Sequence, residues 1–329
     1  MYSQVEIGVN MVDKRERSMR NQAIDVYRCM LMYGICLLHS ITQAGHNVAW
    51  AANMLSWCVP GFMFISGWFG MRFSFMKVAK LYGISLYCAT VFVIFDAVVS
   101  GGGIDFRKIV NVASKQWFLN AYVVVMCFAP MVNVAVEQMA IKHLYPIMLC
   151  AFGWSFATTL PVVCKYVPPT HGLTAYSFLT LLGVYIVARF ARKCHENNPA
   201  FQSLIANRKL IALIVCVCLV CAAIGLNDYN SPFALVIAAG AFLLLLRMKI
   251  PTWLSRICIW LGPTMFSVYL MHSHGYAWKY LTAVEEYFLN VGVRLPFAYL
   301  LTAMCVFCTC VVWDMPRRVA MCCLIGFRR

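Results

Sequence analysis

The chain has 329 residues, 62% of them hydrophobic and only 12% charged, with a mean hydropathy of +0.75. A soluble domain runs nearer half apolar and a quarter charged, so composition excludes a water-soluble enzyme and points to lipid as the solvent. The formal net charge of +15 is accompanied by no basic stripe interleaved with aromatic residues, so no nucleic-acid partner is expected.

The first elements are the clearest. Residues 1–23 are polar and basic and read as a cytoplasmic tail. No Asp, Glu, Lys or Arg occurs from Cys29 to Met71, a length that suffices for two crossings of about 20 residues each. Gly45-His46-Asn47 divides them. Further uncharged runs follow at Leu81–Phe95, Trp117–Val136, Leu144–Cys164, Tyr166–Ala188, Leu210–Asn227, Tyr229–Leu246, Ile257–Trp278 and Leu295–Trp313. The expected fold is therefore an all-α polytopic membrane protein of about ten transmembrane helices, one domain over residues 24–315. A basic cytoplasmic tail is expected over 316–329. Prolines inside spans, such as Pro60, Pro130 and Pro161, are tolerable where neighbouring helices re-satisfy the backbone. The polar stretches 96–116, 189–209 and 273–294 are too short to bury a core of their own. The first apolar segment is too long for a signal-peptide core, and no Ala-x-Ala-like site follows it.

Orientation follows from the 27 Lys and Arg. With a cytoplasmic amino terminus, twenty fall on inner segments, among them Lys14, Arg72, Lys77, Lys80, Arg192, Arg247 and Arg317. Six fall on outer ones, Arg107, Lys108, Lys115, Lys165, Lys279 and Arg294, and Arg28 lies within the first span. That bias puts both termini in the cytoplasm. The basic groups can also meet anionic lipid headgroups.

The 17 cysteines include two C-x-x-C pairs, Cys218/Cys221 and Cys305/Cys308. Both lie inside expected spans, where cysteine behaves as a small hydrophobe, and neither has a second pair at zinc spacing. No metal site is expected. Trp117, Trp253, Trp278 and Trp313 fall at span ends, where an aromatic belt belongs.

Ionisable residues inside a membrane are the unusual observation. The first span holds Asp25, Arg28 and His39. Asp25 and Arg28 are three apart and can pair on one helix face. Eleven residues at 100° each bring His39 round to within about 20° of Arg28, some three turns and about 16 Å further along the axis. One stripe of one helix thus carries a cation near the inner surface and an imidazole deep in the membrane. A snorkelling Arg28 and a structural His39 would give the same spacing.

These residues resemble the opening of the acyltransferase 3 family, multi-span membrane enzymes that O-acylate, usually O-acetylate, polysaccharides and lipid-linked glycans. Its mark is an Arg and a His separated by ten residues in the first span. Three further stretches agree in order. Gly61-Phe-Met-Phe-Ile-Ser66-Gly67-Trp68 is similar to the family's Phe-x-x-Ser-Gly-Tyr, with Trp68 where Tyr is commoner. Gln116-Trp117-Phe118-Leu119 followed by Pro130 resembles its outer Trp-Phe-Leu segment. Phe266-Ser267-Val-Tyr269-Leu270-Met-His272 resembles its Ser-x-x-Tyr-Leu-x-His. Many relatives carry Arg-x-x-Arg on the inner loop after the second span. Here Lys77-x-x-Lys80 stands instead, which keeps a point charge for phosphate but loses the bidentate fork.

The resemblance implies an O-acetyltransferase in the bacterial cytoplasmic membrane, with acetyl-CoA or another acyl-CoA as donor substrate and no permanently bound cofactor. It implies that Lys77, Lys80 and Arg72 meet the donor's phosphates and that Arg28, oriented by Asp25, holds a phosphate or carbonyl. His39 would act as general base on a hydroxyl of a glycan acceptor, or carry the acyl group itself. Trp117, His272, Ser267 and Tyr269, with His274 nearby, would line the acceptor side. A transporter or flippase for a glycolipid or small solute is the alternative reading, since transporters also bury Asp, Arg and His; the internal repeats common among them are absent.

Overall fold

The structure is a computed structural model that describes residues 22–43, 48–159, 178–225 and 231–326. Among these residues it is all helical. In chain order the helices are α1 (Gln22–Gln43), α2 (Ala49–Leu55), α3 (Cys58–Phe69), α4 (Phe75–Ser100), α5 (Phe106–Ser114), α6 (Trp117–Gln138) and α7 (Ile141–Thr159). They continue with α8 (Phe178–Asn197), α9 (Pro199–Ala206), α10 (Arg208–Ala223) and α11 (Pro232–Leu245). The last are α12 (Thr252–Leu261), α13 (Met265–His272), α14 (Gly275–Asn290) and α15 (Leu295–Gly326), with a 3-10 turn at Gly262–Thr264 joining α12 to α13. The amino-terminal tail, the Gly45-His46-Asn47 divider, Pro161 and Lys165 lie outside the described residues.

Among the described residues, five helical units are long and apolar enough to cross a membrane: α1, α4, α6, the α12–α13 unit and α15 up to Cys323. A sixth is reached if α9 and α10, bent by 76° at their junction, form one span. Ten spans are expected from the uncharged runs, and the difference has local causes. The second run is interrupted at Ser56-Trp57, leaving α2 and α3 short. Helices α10 and α11 have 16 and 14 residues, below the roughly 20 that a bilayer core needs. Two further runs extend into residues 160–177, outside those described. At the carboxyl end α15 continues through Pro316 to Gly326, so residues 316–326 prolong the last helix.

Start signals are local. Asn198 and Asn207 cap α9 and α10 by accepting from Phe201 N and Leu210 N, each at 3.1 Å, the usual remedy for unpaired first-turn amides. Ser231 does the same for α11, ahead of Pro232 at its first position.

The core forms where α3 threads between α1, α8 and α11. Tyr27, Leu31, Phe64, Trp68, Tyr185 and Phe242 are buried together. Tyr27 donates its hydroxyl to the Ala238 carbonyl at 2.7 Å, which satisfies the one polar group that it carries inward. Gly67 sets the approach of α3 to α8: a Cβ there would stand 2.6 Å from the Tyr185 carbonyl oxygen. Gly70, with φ +74°, then ends α3 in a conformation open to glycine.

Candidate functional site

Helix α1 organises the site. Asp25, 1% exposed, accepts from Arg28 Nη1 at 3.3 Å. Arg28 lines a cavity of about 230 Å³ with Met32, Ile35, Ser66, Leu81, Tyr122 and Tyr269. Here the Ser66 hydroxyl lies 3.4 Å from Tyr122 Oη, an alcohol pair facing the guanidinium's cavity. Three turns along α1, His39 lines a second cavity of about 630 Å³. Ile35, Val59 and Tyr269 line both cavities. Arg28 and His39 thus face two neighbouring cavities on one side of α1, the side that their spacing predicts.

The larger cavity is polar and aromatic. Its walls include Gln43, Asn111, Lys115, Trp117, His274 and Trp278. Buried His39 Nδ1, both ring nitrogens of His274 and Trp278 Nε1 find no hydrogen-bond partner among the described residues. Buried polar atoms are ordinarily paired, so such a cluster is a set of donors and acceptors open to a ligand or water. Burial, then nearby His272, pushes His274 down to about 4, so its imidazole is neutral at pH 7. The turn between α5 and α6 is held by Gln116. Its Nε2 donates to the Val112 and Leu270 carbonyls at 3.3 and 3.2 Å, and its Oε1 accepts from Ser273 Oγ at 3.1 Å. These bonds tie Trp117 to the end of α13.

His272 is 1% exposed, and its ring lies 5.0 Å from that of His39, centroid to centroid. Its Nδ1 lies 2.5 Å from the Val268 carbonyl oxygen, a contact that assigns the N–H to Nδ1 and leaves Nε2 as the lone-pair nitrogen. Nε2 has no partner among the described residues. Cys36 Sγ stands 4.0 Å from the protonated Nδ1, so no base is placed to activate that thiol.

Several expected residues sit elsewhere. His272 lines not the His39 cavity but an apolar groove of about 420 Å³ between α4, α14 and α15. Ser267 is fully buried and lines none of these spaces; its carbonyl accepts from Cys88 Sγ at 3.9 Å. Arg72, Lys77 and Lys80 are exposed and line none of these spaces either. Leu81, one turn after Lys77 on α4, reaches the Arg28 cavity. Cys36, on the same helix as Arg28 and His39, turns towards α13.

A charged cluster stands at the His39 end. Asp96, near the end of α4, accepts from Tyr280 Oη at 2.5 Å and from Lys279 Nζ at 2.7 Å, and also pairs with Lys108. It joins α4, α5 and α14.

No curated protein and no solved structure matches the chain. The family model for the acyltransferase domain matches residues 21–314, which include α1 and every site residue named above, and the chain therefore belongs to the acyltransferase 3 family of membrane acyltransferases.

Proposed function

We propose that this acyltransferase moves an acyl group, acetyl in the simplest case, from cytoplasmic acyl-CoA to a sugar hydroxyl of an envelope polysaccharide or glycolipid across the bilayer. The supporting observation is the pair of neighbouring cavities on one face of α1, one holding Arg28 and the other His39, with Ile35, Val59 and Tyr269 in the walls of both. The donor's phosphates gather at the Arg28 end, drawn by Arg28 and by the exposed Lys77, Lys80 and Arg72. Its pantetheine arm runs through the smaller cavity, past Met32 and Ile35, and brings the thioester to His39. Ser66 and Tyr122 offer hydroxyls to the arm's amides.

The acceptor enters the larger cavity, where Trp117 and Trp278 offer aromatic faces and Gln43, Asn111 and His274 offer hydrogen bonds. His39, as a neutral imidazole, takes the proton of the sugar hydroxyl while the oxygen attacks the thioester carbonyl. The new C–O bond forms, the C–S bond breaks, and the proton passes from the imidazolium to the departing thiolate. His272, fixed by its bond to Val268, supports the His39 ring from behind.

The direct test is release of free coenzyme A thiol by the purified protein supplied with acetyl-CoA and a glycan acceptor. Acceptor-dependent release that disappears in His39→Ala is expected. An intact thioester alongside movement of the glycolipid would favour a flippase and overturn the reading.

A further inference from the structure

We propose that the groove behind His272 is a binding site for one alkyl chain of an anionic lipid, with the lipid's phosphate seated at the Lys108–Lys279 cluster. The groove belongs to neither cavity used above. Phe92, Phe95, Leu281, Val306 and Trp313 give it an apolar lining, with His272, Tyr280 and Thr309 among the few polar groups in its wall. Its outer edge is open, with Tyr287 63% exposed and Cys305 and Thr309 also exposed. An apolar concavity takes an apolar occupant rather than water, and the medium beside α15 is hydrocarbon.

Charge identifies which lipid. Tyr280 lines the groove with its ring and donates its hydroxyl to Asp96, so the groove runs directly into the charged cluster. There one carboxylate meets two ammonium groups, leaving a net positive charge. Lys279 keeps 56% of its side chain exposed while bonded to Asp96, and its ammonium has donors to spare. A phosphate diester at headgroup level completes the charge balance, and its chain then descends along Phe95 and Trp313, whose rings are 4.7 Å apart, towards His272. A zwitterionic headgroup brings its own cation against the phosphate and so gains less from the second lysine.

The test uses the full chain in nanodiscs of phosphatidylcholine doped with phosphatidylglycerol that carries a diazirine on one acyl chain. After irradiation, labelled peptides are mapped by mass spectrometry. Label should concentrate on 277–287 and 305–313, about tenfold above the exposed face of α10 at Leu213, Val217 and Val220. The same diazirine on phosphatidylcholine should label the groove several-fold less. Lys279→Gln should lower the phosphatidylglycerol signal about fivefold, the expected weight of one lysine at an anionic surface. Thr309→Trp, at an exposed position, should block it. Label spread evenly over all lipid-facing helices would reduce the groove to ordinary solvating lipid and overturn the proposal. Equal labelling by both headgroups would do the same. The unsubstituted protein alone decides between these outcomes, should a variant fail to fold. The readout is occupancy, so it stands or falls separately from acyl-CoA turnover.

Discussion

His39 and His272 meet ring to ring at 5.0 Å although they lie on the first span and on α13. His272 is held by the Val268 carbonyl through Nδ1, whereas His39 Nδ1 has no partner among the described residues. One imidazole is anchored and the other is open to the cavity. This asymmetry gives them different expected roles. His39→Ala should lower acyl transfer about 10²–10⁴-fold, the usual loss of a general base, with protein still accumulating in the membrane. His272→Ala should lower it less, and the double variant should be no worse than His39→Ala. Additive losses in a double-mutant cycle on kcat would show that the two act independently.

Arg72, Lys77 and Lys80 are exposed and line neither cavity. Under the proposed function they would act as a field on the donor's phosphates, not as a fixed contact. Lys77→Gln with Lys80→Gln should raise KM for acyl-CoA and leave kcat at saturation nearly unchanged. Raising ionic strength should reproduce the effect in the unsubstituted protein, because exposed charges are screened within about 10 Å at 0.1 M salt. A KM insensitive to both would assign these lysines to topology alone.

Gly67 is a packing requirement. A Cβ there meets backbone, the Tyr185 carbonyl oxygen at 2.6 Å, and Ala188 Cβ at 2.7 Å. Gly67→Ala should destabilise the protein by about 1–3 kcal/mol, the ordinary cost of overpacking, and lower its melting temperature in detergent. Gly83, with open space around its position, should tolerate alanine without loss.

The charge distribution predicts topology. Reporters after Gly326 and at Arg192-Lys193 should read cytoplasmic, and one between Asp105 and Lys115 should read outer. A reporter after Gly326 on the outer side would require an odd number of crossings.

Much of α1 was legible in the sequence, because helix rotation is fixed arithmetic. Arg28, Met32, Ile35 and His39 line the two neighbouring cavities as their spacing requires. Cys36 lies eight residues from Arg28, about 80° off the stripe, which is enough to turn it from the cavities to α13. The stretch 273–294 reads as polar, yet it contains α14. Ala277, Leu281 and Glu285, buried at intervals of four, are the periodic signal of its packed face. Taken as a loop, that stretch left Trp278 as a belt residue, whereas the structure puts it in the His39 cavity. His272 and His274 part because α13 ends between them: His272 remains on the helix facing the groove, and His274 precedes α14 and turns into the cavity. A helix end of this kind, broken by Ser273, leaves no periodicity to extrapolate. Ser267 could not be told from Tyr269 by sequence, since both belong to one motif; burial alone separates them.

The account's central claim is transfer from one face of the membrane to the other. It is tested most directly in sealed proteoliposomes of fixed orientation, with acetyl-CoA on one side and the glycan acceptor on the other. Acetylated glycan should appear when acetyl-CoA is supplied at the Arg28 face and the acceptor at the His39 face. The reverse arrangement should give none, and His39→Ala should abolish the product of the first. Product formed only when donor and acceptor share one compartment would contradict a donor path running from Arg28 to His39.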